Sequence, residues 1–329
     1  MDAVRTRSSC VSCCRVAESG APRLRVDVGG GLTLTNPVVA ASGTFGYGVE
    51  FAGVTDLAAI GALVVKGLSL EPSRGHPAPR LIETAAGMMN AIGLQNIGVR
   101  AFIETKLPAL RDSGTAVVAN FWGNVPEEYG EVAARLSDAE GIAALEVNIS
   151  SPNKREWGRI IATDPELTRE VVRVARRRCR LPLWVKLSPN VTDVTVFARI
   201  AEEEGADAVC LINTLIGMAV DLDRRRPVLA NRTGGLSGPA IKPVALRMVH
   251  DTVRAVRIPV IGIGGITSGD DALEFLLVGA RAVQVGTASF VDPQATARIA
   301  RELAHGLARR GVADVSDWIG TLDVGGDGV

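Results

Sequence analysis

The chain has 329 residues, 47% of them hydrophobic and 4% aromatic, with 36 glycines, enough to bury an ample core and in keeping with one large α/β domain. Lysine plus arginine (36) balances aspartate plus glutamate (36), which leaves no overall field to hold nucleic acid or an anionic membrane, so the expected partner is a small molecule or another protein. The cysteines, Cys10, Cys13, Cys14, Cys179 and Cys210, form no disulfide framework and point to a reducing cytoplasm.

Residues 1–22 lack the apolar core of a signal peptide and read as a disordered extension. Cys10, Cys13 and Cys14 supply three soft ligands where a structural metal wants four, so no metal site is expected. Residues 23–36 read as a short β-ribbon turning on Gly29-Gly30-Gly31, a plug beneath a barrel. From there one pattern recurs: a short Val/Ala/Ile run, a polar or glycine-rich edge, then an amphipathic helix. The runs fall at 38–43, 62–67, 116–123, 144–150, 183–189, 208–214, 260–266 and 282–288. Helical patterns fall between them, at 126–140, 164–178, 193–205, 238–256, 270–279 and 292–310, several with an acidic first turn and a glycine stop. Near-continuous apolar strands alternating with helices mean a parallel sheet covered by helices, and eight such units predict an α/β fold of the (β/α)8 TIM-barrel type. The barrel domain is placed at 23–318 and a flexible tail at 319–329. No apolar run approaches membrane-spanning length. The connections 68–99 and 215–236 are long and leave carboxyl ends of strands, so they are expected to fold over the barrel mouth.

Candidate chemistry clusters at those carboxyl ends, where barrels place ligands. The fourth run ends in Asn148-Ile149-Ser150-Ser151-Pro152-Asn153, hydroxyls and amides crowded beside a strand-stopping proline. The last two runs end in Gly262-Ile263-Gly264-Gly265 and Gly286-Thr287, where backbone N–H groups can approach a phosphate. Gly234-Gly235-Leu236-Ser237-Gly238-Pro239 adds donors to the same anion. Lys66 and Lys186 sit within apolar strands, where a lysine is costly to bury unless its charge meets an anion. Asn90, Asn120, Asn148, Asn153 and Asn213 offer donors and acceptors to a planar ring with alternating C=O and N–H groups, such as a pyrimidine. His76 falls in a loop and His250 and His305 in helices, so no imidazole base is evident. That leaves Ser150 and Ser151 as proton-transfer candidates, with a bound cofactor supplying the harder chemistry.

These motifs, with Ala41-Ser42-Gly43, Lys66-Gly67, Gly75-x-Pro77-x-Pro79-Arg80, Asn90-Ala91-Ile92-Gly93-Leu94-Gln95-Asn96 and Ile212-Asn213-Thr214, resemble the dihydroorotate dehydrogenases, FMN-containing barrels of pyrimidine synthesis. The wording of the loops is similar to the NAD-linked heteromeric subclass. Its catalytic subunit pairs with an electron-transfer subunit carrying FAD and a [2Fe–2S] cluster. The resemblance implies one FMN per chain, held by Ala41, Ser42, Lys66, Gly67, Asn120, Asn148, Lys186, Ile212, Gly238, Gly264, Gly265, Gly286 and Thr287. It implies a dihydroorotate or orotate site at Lys66, Asn90, Ile92, Gly93, Leu94, Asn148, Asn153, Asn213 and Thr214. Ser151 and Lys186 are the implied catalytic pair, Ser151 taking the C5 proton while the C6 hydride passes to FMN. A homodimer of catalytic subunits within a heterotetramer, in the cytoplasm, completes the implied picture.

One departure stands out. Soluble members of the family typically carry cysteine where this chain has Ser151, whereas serine is the base of the quinone-linked, membrane-associated class. A serine hydroxyl is a much weaker acid than a thiol and needs a partner or a water to relay its proton. Residues 154–163 also depart from the glycine-rich lid usual in the subclass. Two competing readings are a related FMN barrel acting on another dihydropyrimidine, and a flavin- and orotate-binding homologue with little turnover.

Overall fold

The computed structural model describes residues 21–150 and 161–325. The expectations for most of residues 1–22, including Cys10, Cys13 and Cys14, and those for Ser151, Asn153 and most of the altered lid lie outside the described residues.

Eight strands close into a parallel barrel in sequential order: β1 (Val38–Ala40), β2 (Ala62–Val64), β3 (Ala116–Phe121), β4 (Ala144–Asn148), β5 (Leu183–Lys186), β6 (Ala208–Leu211), β7 (Val260–Ile263) and β8 (Ala282–Val285), with β8 pairing back onto β1. Their residues are almost all buried, as strands covered on both faces must be. The principal helices of the outer layer are α1 (Val99–Thr105), α2 (Pro126–Ser137), α3 (Pro165–Arg178), α4 (Val194–Glu203), α5 (Lys242–Ala255), α6 (Gly269–Leu277), α7 (Ala288–Val291) and α8 (Ala295–Arg309). Local chemistry sets their ends. Asp164 caps α3 by accepting from Leu167 N–H, Asp193 caps α4 through Thr195 N–H, and Ser268 with Asp271 forms a reciprocal capping box on α6. Gly205 and Gly279, at φ +88° and +109°, follow α4 and α6 and stop them as the sequence predicts.

The N-terminal ribbon, Val26–Asp27 paired antiparallel with Thr33–Leu34, lies under the amino ends of the strands. A Cβ at Gly29 would stand 2.0 Å from the Asp207 carbonyl, immediately before β6, so only glycine allows this approach. At the other end of the chain, Gly320 and Leu322 donate N–H to Leu276 and Leu277 carbonyls of α6, which keeps the segment after the barrel attached that far.

The two long connections pair with each other over the barrel mouth. Strands Leu81–Thr84 and Gly87–Asn90 from the first join Leu215–Met218 and Thr233–Ser237 from the second in a four-stranded antiparallel sheet. Gly235 pairs with Asn90, and this register carries the glycine-rich segment next to the asparagine loop.

Candidate active site

A cavity opens at the carboxyl ends of the strands beneath this sheet. Its wall contains Ala41, Ser42, Lys66, Gly67, Asn90, Ile92, Gly93, Leu94, Asn148, Lys186, Ile212, Asn213, Thr214, Gly238, Gly264, Gly265, Gly286 and Thr287. The expected residues therefore converge from seven strand ends and both long connections. Asn120 is the exception among the described ones: its side chain is fully buried one layer deeper, turned to Glu146.

The glycine ends form one side. A Cβ at Gly265 would meet Lys242 N at 2.9 Å and Gly238 O at 3.0 Å, and one at Gly264 would meet Ala245 Cβ at 2.8 Å. Gly264 and Gly265 also hold positive φ, +133° and +72°, so the bare backbone presented here depends on glycine. Thr287 donates its hydroxyl to Ser237 Oγ at 2.8 Å, tying the end of β8 to the covering sheet. A side-chain-free cradle of this kind suits a phosphate, and the lysines and amides opposite suit a flavin ring, so the residues present fit FMN.

Lys66 is the sharpest electrostatic feature. Among the described residues no carboxylate or hydrogen-bond acceptor meets its ammonium, and burial, then the neighbouring Arg80 charge, push its pKa below the usual lysine value. A half-buried cation without a counter-ion is a place for an anion. Lys186, nearly buried, approaches the Glu146 carboxylate at 3.9 Å. Asn213 donates to Ser150 Oγ at 2.7 Å, and Asn190 holds Thr214 by donating to its carbonyl at 3.0 Å. On the asparagine loop Leu94 sits at φ +57°, a left-handed backbone that costs a non-glycine residue about 1 kcal/mol and is held by its surroundings.

Several contributors were missed in the sequence. Glu146, fully buried within an apolar strand, read as part of a β run, although a lone carboxylate among Leu, Val and Ala was itself a signal. His76, expected only in a loop, forms part of the cavity wall, its Nδ1 3.1 Å from Ala91 O and its ring packed beneath Gly93. Phe290 also lines the cavity. Among the described residues there is no cluster of His, Cys, Asp and Glu able to hold a metal, and no helix long and apolar enough to cross a membrane.

A closed (β/α)8 barrel with a glycine cradle at its last strand ends and paired lysines and amides at its mouth defines a cofactor-dependent enzyme of the flavin-barrel oxidoreductase class. A family model described as dihydroorotate dehydrogenase matches residues 23–307. Similar proteins include the "Dihydroorotate dehydrogenase B (NAD(+)), catalytic subunit" of Geobacter sp. (strain M21), 60% identical over 294 residues, covering 89% of this chain and 96% of that protein. The protein of the same description from Geobacter sulfurreducens is 57% identical over 303 residues, covering 92% and 99%. A crystal structure of DHODH from Eimeria tenella in complex with ferulenol superposes with a TM-score of 0.77 at 25% identity, over 93% of this chain and 90% of that one. The chain belongs to the dihydroorotate dehydrogenase family.

Proposed function

We infer that the protein is the catalytic subunit of an NAD-linked dihydroorotate dehydrogenase, oxidising dihydroorotate to orotate in de novo pyrimidine (UMP) synthesis. The observation that carries this reading is a cavity joining Lys66, unpartnered among the described residues, and the Asn90, Asn148 and Asn213 amides to a glycine cradle. Orotate is a planar ring bearing a carboxylate and alternating C=O and N–H groups. Lys66 supplies charge to the anion, and the amides supply donors and acceptors to the ring edges. The backbone of Asn90–Leu94, with Ile92 and Gly93, closes over the ring, and Thr214 and Asn153 complete its polar contacts.

Ala41, Ser42, Gly67, Ile212, Gly238, Gly264, Gly265, Gly286 and Thr287, with Asn148 and both lysines, would hold FMN. When bound, FMN supplies the two-electron acceptor for the hydride leaving C6 of the substrate. Lys186 places a positive charge on the cavity floor, where it favours electron gain by a neighbouring ring. Ser151 takes the C5 proton, made acidic by the adjacent carbonyl. The relatives' description as a catalytic subunit supports a separate partner subunit; an electron-transfer role for it with FAD and [2Fe–2S], a heterotetramer built on a catalytic homodimer and a cytoplasmic location complete the proposal.

The test is anaerobic reduction of the yellow protein by dihydroorotate. Rapid bleaching in the wild type, slowed about a hundredfold or more in Ser151→Ala, is the expected result for loss of a general base. A flavin that stays oxidised in the wild type would reject the substrate.

A further inference from the structure

Glu146 occupies the middle of β4 with no exposed surface. Gln284 reaches it from β8 on the opposite side of the barrel, so both side chains point into the barrel interior, below the cavity floor. A carboxylate in that position must be answered, and it is: Asn120 Nδ2 and Gln284 Nε2 each donate to it at 2.6 Å, with the Lys186 ammonium 3.9 Å away. The buried Cys210 nearby stays a thiol, its pKa pushed well up by burial and then by the Glu146 charge.

An ionised carboxylate accepts and never donates. Asn120 is therefore obliged to turn its NH2 toward Glu146, which leaves its Oδ1 facing the other way. The orientation then propagates. Asn120 Oδ1 receives Asn148 Nδ2 at 3.4 Å, the longest link, and so holds from behind the amide whose Oδ1 faces Ser150. That oxygen accepts from Ser150 N at 3.2 Å and Ser150 Oγ at 2.9 Å. With its proton directed there, the Ser150 hydroxyl has only lone pairs for Asn213 Nδ2, which donates at 2.7 Å. Asn213 Oδ1 finally accepts from Thr214 N at 2.8 Å. Glu146, Asn120 and Ser150 are fully buried, whereas Asn148 and Asn213 belong to the cavity wall.

We propose that Glu146 is a positioning residue for the ligand site: as the fixed acceptor at the head of a hydrogen-bond relay it holds Asn120, whose Oδ1 anchors Asn148 Nδ2, and so locks in place the amide faces that the Ser150 and Thr214 N–H groups select on Asn148 and Asn213. An asparagine amide is nearly symmetric in shape and free to flip, so a site that reads C=O and N–H edges needs something to fix the choice. Buried hydrogen-bond networks provide that specificity. The proposal rests on orotate being the ligand that those amides read.

The test is a double-mutant cycle on orotate affinity, measured by calorimetry with the FMN-loaded protein. Glu146→Gln keeps the shape but offers both donor and acceptor, so the relay loses its direction, and Asn213→Ala removes its far end. Each is expected to weaken orotate binding about tenfold. Together they should fall well short of a hundredfold, because the second change removes a contact whose support through the relay is already loosened. Glu146→Asp, acceptor-only like the native residue, should retain more affinity than Glu146→Gln, an ordering that simple loss of packing does not produce. Ser150→Ala cuts the relay midway without touching the Glu146–Lys186 pair, and serves as the second variant should Glu146→Gln not fold. It too should be non-additive with Asn213→Ala. Additive losses in both cycles, or wild-type affinity in Glu146→Gln, would overturn the relay. A wild-type protein that ignores orotate would instead reject the ligand on which the proposal rests.

Discussion

Replacing Lys66 by methionine should move affinity and stability in opposite directions. The ammonium is half-buried in the cavity wall, and the pKa of its amine is depressed by burial and by Arg80. A carboxylate about 4 Å from that charge would gain roughly 4 kcal/mol of Coulomb attraction at an effective dielectric near 20. Part of that gain is spent on desolvating the ligand, and charge-assisted hydrogen bonds leave a net of about 1.5–3 kcal/mol. Lys66→Met should therefore raise the orotate Kd about 10- to 150-fold. The pH dependence follows from the direction of the shift. The protonated amine binds the anion, so affinity falls as pH rises through the lowered Lys66 pKa, and the variant loses that component. Without orotate the sign reverses: the unfolded chain holds this proton more tightly than the folded one, so the charged lysine opposes folding below its lowered pKa and the opposition lifts as pH rises through it. The variant should accordingly be at least as stable as the wild type in a thermal melt without orotate. Calorimetric titration at two pH values together with the melts checks both arms. An orotate Kd within threefold of wild type, or a marked fall in Tm, would refute the assignment of Lys66 to an anion.

Asp271 is the second case. Burial alone would raise its pKa, but Lys242 at 2.6 Å, the Thr267 N–H and hydroxyl and the Ser268 N–H hold it at about 2, against 3.8 for a free aspartate. That depression contributes about 2 kcal/mol present above pH 4 and lost as pH falls through about 2, so Asp271→Ala should flatten this part of an acid-denaturation curve, and an unchanged acid limb would contradict it. Gly235→Ala concerns the site: a Cβ there would stand 2.0 Å from Thr214 Oγ1 and 2.6 Å from Thr214 Cβ, so Thr214 must move. Overpacking of about 1–3 kcal/mol should appear as lower Tm and at least tenfold weaker orotate binding, and normal affinity would show that Thr214 is not part of the ligand site.

The barrel was legible from local pattern because each strand is buried on both faces and each helix on one, so hydrophobic spacing and caps mark them in the chain itself. All eight strands formed where the runs predicted, and the glycines after α4 and α6 stopped those helices. The regular ladder of the first run, expected over 38–43, ends at Ala40, and that of the sixth, expected over 208–214, ends at Leu211. Beyond those points Ala41, Ser42, Ile212, Asn213 and Thr214 turn to the cavity, so the continuing apolar or polar character marked a site edge rather than more sheet. Most of the wall residues could be named in advance for the same reason: unusual polar groups at strand ends are a one-dimensional signal.

Other features required the chain to be folded. The covering sheet pairs Met89 with Leu236 and Asn90 with Gly235, partners far apart in sequence whose loops carry no shared period. His76 reached the cavity wall only because Gly93 lets the loop lie on its ring. Glu146 and Gln284 each look like an isolated polar residue in an apolar strand; closing the barrel sets them face to face and joins two local anomalies in one hydrogen bond. Periodicity reports which side of an element is buried, whereas the partner waiting on that side is chosen by long-range closure, and hydrogen-bond direction exists only once both are in place.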